Sequence, residues 1–98
     1  MEKEIEKDLM GTNELELYKA ISSLSSPEEA SKLLRDLLTF DEIKEISNRF
    51  AVVKLLNNKV TVREIVKRTK TSSATVSRIN FWLHHGTGGY RLVLQKLR

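Results

Sequence analysis

Apolar residues recur along this chain at spacings of three and four, the period of helices with one covered face, and no stretch alternates as a half-buried strand would. From Asn13, the positions Leu17, Ile21 and Leu24, with Tyr18 beside them, predict a first helix over about 13–24. Ser26-Pro27-Glu28-Glu29 is a start signal. Serine accepts from free N–H groups, proline at the first helical position has no N–H to lose, and the acids favour the helix dipole. Ala30, Leu33, Leu34, Leu37 and Leu38 then share one face of a second helix, about 27–38.

Thr39 and Glu42 form a capping box that opens the longest helix, about 40–57. Phe40, Ile43, Ile46, Phe50 and Val53 are in register, while Val52, Leu55 and Leu56 widen the apolar face beyond one stripe. Asn57-Asn58-Lys59 ends it, because asparagine tolerates the left-handed conformation at a C-terminus. A second box, Thr61 and Glu64, opens a short helix of about 61–68 with Val62, Ile65 and Val66 as its apolar positions. Ser72 caps the next, about 72–85, in which Val76, Ile79 and Leu83 share a face. Gly86-Thr87-Gly88-Gly89 breaks the chain, and Tyr90, Val93, Leu94 and Leu97 describe a last helix, about 89–97.

Composition fits this all-α reading: 98 residues, one proline, four glycines and 31% charged residues. Residues 1–12, charged and poor in apolar anchors, read as an N-terminal tail ahead of one domain, 13–98. The absence of cysteine excludes disulfides and thiolate metal sites. No apolar run approaches the roughly 20 residues of a membrane span, and MEKEIEKDLM lacks the apolar core of a signal peptide. A cytoplasmic protein with no membrane partner is expected.

Charge is divided unevenly. Residues 1–49 hold 7 Lys/Arg and 12 Asp/Glu, net −5, whereas residues 50–98 hold 10 Lys/Arg and the single acid Glu64, net +9. A C-terminal half so basic is suited to a polyanion. The placement of the charges points the same way. Two short helices joined by a tight turn at 69–71 make a helix-turn-helix candidate. The second buries Val76, Ile79 and Leu83 and leaves Ser72, Ser73, Ala74 and Ser77 on the opposite side of its first turns. Small residues there let a helix sink into the major groove and bring hydroxyls and methyls to base edges. Lys59, Arg63, Lys67, Arg68 and Lys70 surround it, placed to grip phosphates, with Glu64 engaged by its capping box.

The stretches LTFDEIKEISNRFAVVKLL and TVREIVKRTKTSSATVSRIN, and the final GTGGYRLVLQKL, resemble the Trp repressor family, and most closely its YerC/YecD subfamily. The similarity spans about residues 13–98. It implies a six-helix chain forming an interwoven homodimer, with two reading heads in successive major grooves of double-stranded DNA, a geometry for which the Trp repressor is itself a standing example. The chain's own pattern agrees: a helix such as 40–57, apolar on several sides, needs a cover that so short a chain cannot supply. At the matching motif positions, Val62, Arg63, Ser72, Ser73, Ala74 and Ser77 fall where the family meets DNA; Lys67 and Lys70 join them as phosphate ligands. Two residues depart from the pattern. Lys70 stands where the turn usually has glycine, and a left-handed lysine costs on the order of 1 kcal/mol; Val66 replaces a small residue.

The family resemblance also implies a corepressor pocket, where tryptophan lies between two arginines beside a threonine. Thr39, Arg49 and Arg78 occupy those positions. Arginine pairs can stack on an indole and hold a carboxylate. However, Ile79 stands where the repressor has glycine and Trp82 where it has serine, and both add bulk where the ligand needs space. The expectation is that Ile79 and Trp82 fill the slot and hold the reading head without an effector, so that no cofactor, tryptophan included, is required. Thr39 reads first as an N-cap.

Other features carry less. His84-His85 ends a helix, where imidazoles suit the exposed carbonyls, and no acid or cysteine completes a metal set. The glycine-rich loop lacks the preceding strand and the lysine of a phosphate-binding loop. Phe81 and Trp82 suit core or dimer contacts better than base stacking. The serines have no histidine–carboxylate partner at recognisable spacing, so an enzyme is not expected. Two functions remain: a dimeric, sequence-specific DNA-binding transcriptional regulator, a repressor by analogy, or a protein–protein interaction module whose basic half docks on an acidic partner.

Overall fold

Residues 11–98 are described by a computed structural model. Among them the chain forms six helices and no strand: α1 (Thr12–Ser22), α2 (Pro27–Leu37), α3 (Phe40–Asn57), α4 (Val62–Thr69), α5 (Ser73–His85) and α6 (Gly89–Lys96). The tail expected over 1–12 lies outside the described residues as far as residue 10, and Thr12 already belongs to α1. The chain divides after Thr39 into two compact units.

In the first unit, α1 stops two residues short of the expected Leu24. Ser22 Oγ donates to the Lys19 carbonyl at 2.9 Å and Ser23 Oγ to the Ala20 carbonyl at 2.6 Å, so the hydroxyls close the last turn on itself. The Ser26 start signal forms as expected: its Oγ accepts the Glu29 N–H at 3.1 Å. Glu29 Oε1 in turn accepts from the Ser25 N–H at 3.0 Å and lies 3.2 Å from Ser25 Oγ. Pro27 is the first helical residue, where its missing donor costs nothing. Neither α1 nor α2 contains a fully buried residue.

The second unit holds a small core. Val52 and Val53 on α3, Ile65 on α4, and Val76, Ile79 and Leu83 on α5 are all buried, so these three helices pack pairwise around one cluster. Leu55, Leu56, Val60, Val62, Val66, Tyr90 and Leu94 ring it, partly buried. The adjacent pair Val52–Val53 corrects the expectation that the wide apolar face of α3 needs a partner chain throughout: at these two positions α4 and α5 of the same chain supply the cover, and both are fully buried.

The turn from α3 into α4 corrects one expectation. The left-handed residue is Lys59 (φ 66°) and neither asparagine. The Lys59 N–H donates to the Leu56 carbonyl at 3.0 Å and the Val60 N–H to the Leu55 carbonyl at 3.1 Å. This is the paired closure of a Schellman turn, with Val60 returning to the core beside Leu55. After α5, Gly86 accepts no side chain, since a Cβ there would run into the Trp82 carbonyl oxygen.

Truncating the residue at the centre of this cluster has a defined cost. Ile65→Ala removes a fully buried side chain from the cluster that the three helices share, and is expected to lower the unfolding free energy by about 2–5 kcal/mol in urea titration.

Candidate nucleic-acid interface

Two capped helices and a three-residue turn build the basic surface. Thr61 Oγ1 accepts the Glu64 N–H at 3.2 Å and so starts α4. The reciprocal half of the expected capping box is replaced: Glu64 Oε1 accepts from Arg68 Nε at 3.1 Å, one turn along. The one acid of the basic half is therefore spent on Arg68, while Arg63, Lys67 and Lys70 stay exposed.

Lys70 closes α4 in the left-handed conformation (φ 57°, ψ 20°), its N–H donating to the Val66 carbonyl at 3.0 Å. The turn thus takes the shape expected of a glycine, although lysine occupies it. A short polar chain holds this corner. Thr69 Oγ1 lies 2.8 Å from the Ile65 carbonyl and 2.9 Å from Thr71 Oγ1, and it accepts the Thr71 N–H at 3.3 Å. Thr71 Oγ1 accepts from Asn48 Nδ2 of α3 at 2.7 Å. Asn48, Thr69 and Thr71 thereby tie the turn to the long helix. Sequence reasoning missed them. The run Thr69-Lys70-Thr71 was legible as a turn, but its partner lies 23 residues away.

Ser72 is the N-cap of α5: its Oγ accepts the Thr75 N–H at 3.2 Å and lies 2.9 Å from Thr75 Oγ1. Its hydroxyl is thus engaged within the helix start. Ser73, Ala74 and Ser77 are exposed, opposite buried Val76 and Ile79. Ser77 continues along the outer side of the helix into a shallow hollow with Asn80, Phe81, His84 and His85. There Phe81 packs against His85 with ring centroids 4.8 Å apart, and His84 Nδ1 lies 2.9 Å from the Asn80 carbonyl. Val62, expected at the interface, is half-buried against the core instead of projecting freely. Arg63, Lys67, Lys70, Ser73, Ala74 and Ser77 are thus exposed on α4, the turn and α5, while Val62 packs on the core and Ser72 caps α5.

The residues matched to a corepressor pocket are less unified. Thr39 belongs to the first unit, Arg49 and Arg78 to the second. Arg49 is engaged by Glu45 on its own helix, Nη2 to Oε1 at 3.1 Å. Arg78 is exposed. Ile79 is directed into the core, only 5% exposed, whereas Trp82 is 54% exposed. With Phe50, Tyr90, Val93 and the Gly86–Gly89 loop, Trp82 lines an apolar groove of about 450 Å³.

This architecture is found in known proteins. The family model described as "Trp repressor protein" matches residues 12–98, and the chain belongs to the Trp repressor family. Within that family it falls with the YerC-like proteins. It is 32% identical to "Uncharacterized protein YerC" of Bacillus subtilis (strain 168) over 83 residues, which is 85% of this chain and 80% of that protein. Its fold is similar to the crystal structure of a TrpR like protein from Eubacterium eligens ATCC 27750, with a TM-score of 0.86 at 36% identity, covering 93% of this chain and 94% of the other. The all-α, six-helix architecture expected from the apolar periodicity is the one this family has.

The left-handed lysine has a measurable consequence. Lys70→Gly relieves the Cβ clash of that conformation at some entropic cost, and is expected to raise the unfolding free energy by about 0.5–1 kcal/mol in thermal or urea unfolding.

Proposed function

We propose that this protein is a dimeric DNA-binding transcriptional regulator that reads duplex DNA through the helix-turn-helix formed by α4 and α5. One observation carries the reading: the exposed first turns of α5 hold the small side chains Ser73, Ala74 and Ser77 beside one long cation, Arg78, while Arg63, Lys67 and Lys70 are exposed on α4 and the turn and Glu64 is paired with Arg68. Small residues allow close approach to base edges, while the cations bind phosphates on either side. Membership in a family of regulators supports the same conclusion. In this reading Ser72 and Val62 act indirectly, the first by capping the reading helix and the second by seating α4 on the core.

The homodimer rests on apolar surface. Phe81 and Trp82 are 55% and 54% exposed, and the groove beside Trp82 is lined mainly by apolar groups. A second copy of the chain would remove these side chains from water. Tryptophan is not part of the proposal. Arg49 is tied to Glu45 and Ile79 fills core space, whereas Trp82, expected to fill the slot, is 54% exposed on the apolar groove. Calorimetry with tryptophan is expected to give no saturable heat; a micromolar isotherm would restore the corepressor. No helix among the described residues is long and apolar enough to cross a membrane, and repression in the cytoplasm is the setting that the reading implies.

Selection from random duplexes at stated, low salt tests the proposal. It should enrich a pseudo-palindrome whose half-sites lie about one helical turn apart, bound by a dimer in sedimentation analysis. Affinity should fall linearly on a log–log plot against salt. Arg63→Ala should weaken all duplexes alike and reduce that slope by about one, whereas Ser77→Ala should change base preference at one position of each half-site. Failure to enrich any duplex would transfer the basic surface to an acidic protein partner.

A further inference from the structure

A second cationic feature centres on α6 and takes in Lys59, which the sequence groups with the cations around the reading helix. On α6 and the residues just after it, Arg91, Leu94, Gln95 and Arg98 follow at the three- and four-residue spacing that places them on one side. They face the end of α3 and the last turn of α5. Together with Leu56, Asn57, Lys59, Leu83 and His84 they line a cleft of about 280 Å³. Leu83 is buried and Leu56 and Leu94 are half-buried, so the apolar residues provide the floor. Lys59, Arg91 and Arg98 are exposed and supply three positive charges, and no carboxylate side chain lines the cleft.

The acidic side chains of this unit, Asp41, Glu42, Glu45 and Glu64, all lie outside the lining of the cleft. Glu64 is occupied by Arg68 and Glu45 by Arg49. Glu45 is also eleven residues back along α3 from Leu56, roughly 16 Å at the rise of an α-helix. That is about twice the screening length at physiological ionic strength. Three like charges sharing one concavity repel one another, and an anion bearing several oxygens relieves that repulsion. The lining suits such an anion: two guanidinium forks, one ammonium, and the amide donors of Asn57 and Gln95. The Schellman turn contributes by fixing Lys59 in its left-handed conformation at the mouth of the cleft.

We propose that this cleft is a phosphate-binding site, formed by Lys59, Arg91 and Arg98 and separate from Arg63, Lys67, Lys70 and Ser77. The phosphate has two sources consistent with that chemistry. One is a small phosphorylated molecule. The other is a backbone phosphate of the duplex, reached because Lys59 lies two residues before the N-cap of α4; this source rests on the DNA-binding reading, while the site itself does not.

The test titrates the 98-residue chain with inorganic phosphate, without DNA, against sodium chloride at equal ionic strength. Backbone amide NMR shifts are followed in wild type and in the double variant Arg91→Gln/Arg98→Gln, whose unchanged circular dichroism and melting temperature verify folding. Saturable shifts at Asn57, Lys59 and Gln95 in wild type, weakened at least about tenfold in the variant, are expected from paired charge-assisted contacts. Shifts that match the chloride control, or that are the same in both proteins, would overturn the site. The source is then read from the selected duplex. A salt slope reduced by about two in the double variant assigns the site to the DNA backbone, and an unchanged slope, or no duplex binding at all, assigns it to a free phosphate compound.

Discussion

Everything that positions the candidate site depends on the contact of Ile65 and Val76 with Val52 and Val53. All four side chains are fully buried, and they come from three helices. α4 and α5 are short, and helices of that length have little stability of their own in water. Their orientation is therefore set by the shared apolar cluster, not by helix propensity. Because each of them spends one face on that cluster, the other face of each is exposed to solvent. The small-residue surface of α5 and the cations of α4 are consequences of the same packing.

The two left-handed lysines are the second constraint. Lys59 and Lys70 each close a helix in a conformation that glycine adopts at lower cost. In both places the backbone strain is retained at a basic corner: one at the mouth of the C-terminal cleft, the other in the turn between α4 and α5. The same residues thus shape the chain and carry charge. The polar link from Asn48 to Thr71 and Thr69 holds the second corner against α3, so that the turn is braced from the core side while its lysine remains exposed. Substitutions at Asn48 or Thr71 would loosen the presentation of α5 without touching its outer face.

Much of this was legible in the amino-acid order. The spacing of Val76, Ile79 and Leu83, the caps at Ser26, Thr61 and Ser72, and the break at Gly86 are local signals, and each produced the element it announced. The left-handed geometry of Lys70 followed from the glycine usual at its place in the helix-turn-helix motif. The charge asymmetry was also plain, since it needs only counting. These features are determined over a few residues, where backbone sterics and hydrogen bonding act alone.

What only the tertiary structure decided depends on atoms far apart in the chain. The Asn48–Thr71 bond spans 23 residues. Val62, which the resemblance placed at the DNA and its own spacing marked as apolar, is half-buried against the core, and packing fixed how far it is covered. The cleft of Lys59, Arg91 and Arg98 is assembled from the ends of three helices, and its character comes from a lining without acidic side chains. Periodicity specifies which side of a helix is apolar; only packing specifies what that side meets, and hence which charges are left unanswered.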